Sequence, residues 1–265
     1  MYQNKIVLIT GASRGVGLEI TKHFIENGAI VIGLSKGISN YIHKNYNHFT
    51  VDLGNSEAII NCFKKEIGKK YKRIDIVINN AGVALGKSKL IDLTYEEFEW
   101  LMGINFWGVV YGTKEFLPYL IAKKEAAIVN ISSLFGLAGI AEQVPYCASK
   151  FAVRGLSESL RMELMDTNVK VHSVHPGGIK TNIANNARVT SNANQEEAKS
   201  MLEKFNETAL IHTPEKAAQV IMNGIKNKQE KIMIGFETYI ADSLIRALPE
   251  KYTTVLGKLI KQQMG

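Results

Sequence analysis

Lys5-Ile6-Val7-Leu8-Ile9-Thr10-Gly11-Ala12-Ser13-Arg14-Gly15-Val16-Gly17-Leu18-Glu19-Ile20-Thr21-Lys22-His23-Phe24-Ile25 decides the fold. Its first six residues are a short apolar run rich in β-branched side chains. That is the pattern of a strand buried on both faces, as in a parallel sheet. From Leu18 onward the apolar spacing is helical. Between the two lies a turn spaced Gly-x-x-x-Gly-x-Gly. Strand, glycine-rich turn and helix suit a dinucleotide. Glycine permits the tight turn and the close main-chain approach to a pyrophosphate, whose charge meets the helix N-terminus. The spacing departs from Gly-x-Gly-x-x-Gly, and a loop with convenient glycines is the competing reading.

Outward from this unit the same alternation continues. Residues 29–34 predict a second strand, and Gly28 ends the helix before it. At that strand end an acid would bind the ribose hydroxyls of NAD, whereas a cation accommodates a 2′-phosphate. The chain has Ser35-Lys36 there, with Arg14 in the glycine turn, which favours NADP(H) on charge. Two ordinary surface cations are the alternative. Further strands are expected at 48–53, 74–78, 127–133, 169–175 and 231–235. Helices are expected at 56–70, with Ser56 as N-cap, and at 95–120. Strands alternating with helices of this length specify βαβ units and a parallel sheet. The stretch from 182 to 212 is polar and breaks the pattern, as a lid at the ligand edge would. A helical tail about 240–265, broken at Pro249, closes the chain. One domain over 1–265 is the simplest organisation.

Composition narrows the class. The 265 residues are 46% hydrophobic, with 22 Gly and 5 Pro, an ordinary globular balance. The net charge of +7 is spread in pairs such as Lys64-Lys65 and Lys69-Lys70. No basic cluster interleaved with aromatics argues for nucleic acid. No run of about 18 apolar residues argues for a membrane span. Cys62 and Cys147 lack paired or metal-ligand spacing, so reduced thiols in a cytoplasmic protein, with no bound metal, are expected.

The chemistry is read from Val144-Pro145-Tyr146-Cys147-Ala148-Ser149-Lys150. Pro145 suits a helix entry. Residues four apart share a helix face, so Tyr146 and Lys150 become neighbours. An ammonium beside a phenol favours phenolate and lowers its pKa, which would fit Tyr146 for proton transfer. Alone, such a pair is common on solvated helices.

Its company is more specific. Thr10-Gly11-Ala12-Ser13-Arg14-Gly15-Val16-Gly17, Asn79-Asn80-Ala81-Gly82, Asn105, Ser133, Tyr146-x-x-x-Lys150 and Pro176-Gly177-x-x-x-Thr181 occur in one order and spacing. In these motifs the chain resembles the classical short-chain dehydrogenases/reductases, strongly over residues 5–181. The resemblance implies a seven-stranded parallel sheet with helices on both faces, and a homodimer or homotetramer. It implies Tyr146 as proton donor or acceptor, with Lys150 lowering its pKa and holding the nicotinamide ribose. It implies Ser133, rather than its neighbour Ser132, polarising the substrate oxygen, and Asn105 anchoring a water. Gly11, Ser13, Arg14, Gly15, Val16 and Gly17 would cradle the cofactor phosphates. Ser35, Lys36, Asp52 and Leu53 would lie on the adenine side, Asn79, Ala81 and Gly82 beside the ribose. Pro176, Gly177, Ile179 and Thr181 would fix the nicotinamide end.

The resemblance leaves the substrate open. Leu134, Phe135, Leu137, Val144 and Ile183 suggest apolar walls, and so a hydrophobic ketone or secondary alcohol. Two rivals stand. One is a non-catalytic NADP(H)-binding regulator on the same fold, which would have no need of an intact Asn–Ser–Tyr–Lys set. The other is a different Rossmann enzyme such as a methyltransferase or epimerase, against which the Asn79–Gly82 run and the short C-terminal region argue.

Overall fold

The computed structural model describes residues 2–191, 196, 203 and 210–264. Seven parallel strands form one sheet in the order β3-β2-β1-β4-β5-β6-β7. They are β1 (Ile6–Thr10), β2 (Ile30–Ser35), β3 (Tyr46–Thr50), β4 (Ile76–Asn79), β5 (Ala126–Ile131), β6 (Val169–Pro176) and β7 (Lys231–Ile234). The chain winds outward from β1 to β3, then returns to place β4 on the other side of β1. That reversal opens a crevice at the carboxyl ends of β1 and β4, where ligands bind in open α/β sheets.

The continuous apolar run of β1 is explained by its two burials. Val7 and Ile9 face one core with Phe24, Ile78, Val129 and Ile221, while Leu8 faces another with Ile32, Val77, Phe116 and Ile128. Side chains alternate across a strand, so both sets must be apolar. The first core is covered by α1 (Gly15–Glu26) and α7 (Pro214–Lys226). The second is covered by α2 (Ser56–Asn61), α5 (Gly108–Ile121) and α6 (Val144–Glu163), with the short α3 (Gly68–Lys70) outside it. Helices therefore pack on both faces of the sheet. α4 (Tyr95–Met102) leads into α5, and α8 (Phe236–Ala247) and α9 (Tyr252–Met264) end the chain.

Several boundaries differ from expectation. β3 ends at Thr50 because its ladder with β2 runs only from Val31↔Tyr46 to Ser35↔Thr50. Val51 and Leu53 lie beyond the ladder and pack into the second core. The N-cap of α2 is Asn55 and not Ser56, since Asn55 Oδ1 accepts from Ala58 N at 3.0 Å. The expected helix over 56–70 contains a π-helical turn at Cys62–Ile67, and that over 95–120 contains another at Gly103–Trp107. The C-terminal helices start earlier, because Gly235 at φ +97 turns β7 straight into α8. Of the expected lid over 182–212, residues 192–195, 197–202 and 204–209 lie outside the described residues. Among the described residues no helix is long and apolar enough to cross a membrane.

Candidate active site

The glycine turn is built as a cradle. Gly11 and Gly15 have φ of +68° and +56°, a region where a side chain would be strained. A Cβ on Gly17 would collide with the Gly11 carbonyl oxygen. The loop after β4 is latched to this turn: Thr10 Oγ1 accepts from Asn80 N and Ala81 N, each at 3.0 Å. Asn80 Nδ2 donates to Thr10 O at 2.9 Å. The N-terminus of α1 has no side-chain cap and no acidic residue in its first turn. Its amides are thus left for an anion. A Cβ on Gly15 would lie 3.4 Å from Thr181 Cγ2, so the loop after β6 faces this cradle.

The catalytic candidates meet at the carboxyl ends of β4 and β5. Tyr146 and Lys150 sit one turn apart in α6, whose first turn carries Pro145. Lys150 Nζ lies 5.6 Å from the centre of the Tyr146 ring and donates to Ile131 O at 3.0 Å. The Ser133 hydroxyl adjoins the Tyr146 phenol and pulls its pKa down, and Ser133 Oγ accepts from Phe135 N at 3.1 Å. Phe135 packs edge-on to the Tyr146 ring at 5.8 Å. Asn105 is fully buried in the second π-turn. Its amide pairs with the Val83 main chain in both directions, at 2.8 and 3.0 Å, and donates to Ser149 Oγ at 3.3 Å. A Cβ on Gly82 would lie 3.4 Å from both Asn105 Oδ1 and Lys150 Nζ. Ser132 turns instead into the core, where its hydroxyl donates to Lys150 O at 2.8 Å.

The electrostatics correct one expectation. Burial pushes the Tyr146 phenol up to about 12, against a smaller downward pull from Ser133. Tyr146 as a whole is half-buried. Burial also pushes Lys150 down to about 8. Helical spacing puts the amine against the ring face and not against the hydroxyl, so within this chain desolvation outweighs the attraction of the ammonium for a phenolate.

Other expected residues turn elsewhere. Ser35 is buried, with Oγ donating to Gly37 O at 2.9 Å and paired with His48 Nε2 at 2.7 Å. Lys36 Nζ pairs with Asp52 Oδ2 at 2.8 Å, which holds that carboxyl below its usual range. Asn79 points its amide into the core, donating to Thr113 Oγ1 and Asn130 Oδ1, while its own Oδ1 has no protein partner. Leu53, Leu137 and Ile179 are core side chains, so only their main chains can face a ligand. Ser13 and Gly177 are half-buried, Pro176 pairs with Ile234 in the sheet, and Val16 packs against the first core.

Sequence reasoning missed His175, His212 and Glu237. His175 is buried, with Nδ1 on Ser133 O at 3.2 Å and Nε2 on Ser173 Oγ at 2.9 Å. A carbonyl only accepts, so Nδ1 carries the proton. His175 lies at the strand end directly before Pro176-Gly177, which is the signal that could have marked it. His212 and Glu237 meet across 25 positions of sequence at 3.0 Å, a separation no local pattern reveals.

A family model described as short chain dehydrogenase matches residues 5–192. The chain is 35% identical over 268 residues to SadH of Mycobacterium tuberculosis, across 97% of this chain and 95% of that protein. A short-chain dehydrogenase/reductase structure from Burkholderia phymatum, in complex with NAD, superposes with a TM-score of 0.82 at 21% identity. It covers 94% of this chain and 95% of that one. The closed form of a serine dehydrogenase complexed with NADP+ gives a TM-score of 0.74 at 28% identity, over 86% and 93% of the two chains. With a family match that runs from β1 past β6, and a sheet wound about the crevice that match requires, the chain belongs to the short-chain dehydrogenase family, oxidoreductases that work with a nicotinamide cofactor.

Proposed function

We propose that this enzyme interconverts the carbonyl and secondary alcohol of a hydrophobic small molecule, with NADP(H) preferred over NAD(H). One observation carries the reading: the Tyr146 phenol lies beside the Ser133 hydroxyl, with buried Lys150 Nζ 5.6 Å from its ring centre, at the mouth of the sheet crevice. The cradle fits a dinucleotide, since Gly11 and Gly15 hold the left-handed turn, Gly17 lets the helix start lie close against it, and α1 presents uncapped amides. Bound there, the cofactor supplies or takes up the hydride. The side chains manage the oxygen. Tyr146, with a pKa near 12, holds its proton at neutral pH and gives it to the oxygen as negative charge grows. Ser133, its Oγ fixed by Phe135 N, offers a hydrogen bond to that oxygen, worth most in the transition state. Lys150 would hold the nicotinamide ribose, and Asn105 keeps the adjoining Val83 main chain in place.

Preference for NADP(H) is supported by the absence of an acid at Ser35 and by exposed Arg14 and Lys36. The Lys36–Asp52 pair is solvent-exposed. Such pairs are worth roughly 0–1 kcal/mol, so Lys36 can yield to a phosphate. Half-buried Leu134, Phe135 and Ile183 support apolar walls. The same reading takes the protein as a cytoplasmic homo-oligomer with free thiols at Cys62 and Cys147.

The test is turnover of an aldehyde and ketone panel with each cofactor. Apolar ketones should react, and NADPH should bind at least about tenfold tighter than NADH, roughly 1.4 kcal/mol. Tyr146→Phe should lose on the order of 10²–10⁴ in kcat. Full activity in that variant would remove Tyr146 from the chemistry. Tight cofactor binding with no turnover on any carbonyl would favour the regulator.

A further inference from the structure

We propose that Glu237, clamped by His212, is a positioning residue that sets the Pro176–Thr181 loop for the nicotinamide end of the cofactor. The proposal rests on the reading above, in which that loop holds this end. Both residues lie beyond residue 192, outside the part matched to the family model.

Three observations converge on the Glu237 carboxylate. First, it is a hydrogen-bond hub: Oε1 accepts from Gly178 N at 3.2 Å, and His212 Nε2 lies 3.0 and 3.2 Å from its two oxygens. Second, the surroundings are hollowed to admit it. A Cβ on Gly177 would collide with Oε1, and one on Gly235 would collide with both Oε1 and His212 Nε2. The glycine after Pro176 is therefore explained by a side chain from another element. Third, His212 is tied to the same loop through its main chain. His212 N donates to Gly178 O at 3.0 Å, Lys180 N donates to His212 O at 2.7 Å, and Ile179 bridges to His212.

Glu237 enters from the first turn of α8, so the C-terminal region reaches the cofactor loop from behind. Ile179 and Thr181 follow directly after the clamped Gly178. A carboxylate that accepts a main-chain N–H and meets an imidazole fixes the loop before any ligand arrives. That removes part of the ordering cost of binding.

The experiment compares two ligands by titration calorimetry on the full-length protein: NADP+, and 2′-phospho-ADP-ribose, which lacks only the nicotinamide. Glu237→Ala should weaken NADP+ roughly tenfold, the scale of one charged-group hydrogen bond, and leave the fragment within about twofold. Glu237→Gln keeps an acceptor for Gly178 N and should restore near-wild-type affinity for both. Equal weakening of both ligands, or no weakening of NADP+, overturns the proposal. If Glu237→Ala does not fold, His212→Asn is compared in the same way. It should show a smaller loss confined to NADP+, and equal effects on the two ligands overturn the proposal there too. If the wild-type protein binds neither ligand, the cofactor reading itself has failed. If it binds both and the variants show no difference, only the clamp has.

Discussion

Lys150 is 3% exposed, and burial holds its ammonium at a pKa of about 8. Against the ordinary Lys value near 10.4, that shift corresponds to a cost of about 3 kcal/mol for keeping the charged form folded at neutral pH. The folded pKa lies below the unfolded one, so the cost is fully present below pH 8. It fades as pH rises from about 8 toward the unfolded value, because only the unfolded chain still binds the proton in that window. Such an expense fits the role proposed for Lys150 at the nicotinamide ribose and not a stabilising one. Lys150→Met should therefore abolish turnover and yet raise the melting temperature at pH 7. Its advantage over the wild type should shrink across the same alkaline window. A variant that melts lower than the wild type at pH 7 would show that the Ile131 carbonyl, bonded to Nζ at 3.0 Å, matters more than the buried charge. The same residue shows where sequence reading ran short. Four-residue spacing correctly made Tyr146 and Lys150 neighbours, but it carried no information on depth. Depth decides that the phenol rises to about 12 here.

At the scale of elements, the segment from Tyr95 to Ile121 illustrates what periodicity can and cannot reveal. Its apolar period announced a helix, and it forms α4 and α5. The π-turn between them was invisible to that period. That turn carries Asn105 into the loop after β4, where both of its amide ends are used. Asn105→Ala should strand the half-buried N–H and C=O of Val83, at up to roughly 1–3 kcal/mol for each group that water cannot reach. In urea the midpoint should fall with an unchanged slope, since the folded surface is otherwise kept. An unaltered midpoint would mean that Val83 finds other partners. Strands were legible for a different reason: burial on both faces demands unbroken apolar runs such as Ile6–Thr10. Caps and clamps were not. The Asn55 cap competes with an adjacent Ser56, and Glu237 meets Gly178 only once β7 has brought α8 alongside β6.

The whole molecule carries a formal net charge of +7 with its six histidines neutral, so acidification adds positive charge to an already positive chain. Two of the histidines are buried in β6: His172 and His175 are each 1% exposed. Burial pushes His175 down to about 4, against a smaller upward pull from its bond to Ser133 O, and lowers His172 as well. The unfolded chain takes up a proton at His175 as pH falls through about 6.5, whereas the folded chain refuses it until about 4. Stability from this residue is thus intact above pH 6.5 and lost on the way down to 4, by about 3 kcal/mol in all. General charge repulsion acts on any variant alike, so a difference measurement isolates the residue. His175→Asn keeps a donor toward Ser133 O but does not titrate. Its unfolding free energy in urea should fall less steeply than that of the wild type between pH 6.5 and 4, and match the wild-type slope above pH 7. Parallel curves throughout would show that His175 takes up its proton as readily in the folded protein as in the unfolded chain, with Ser173 Oγ accepting from Nε2–H, and that its buried, neutral setting beside Ser133 is wrong.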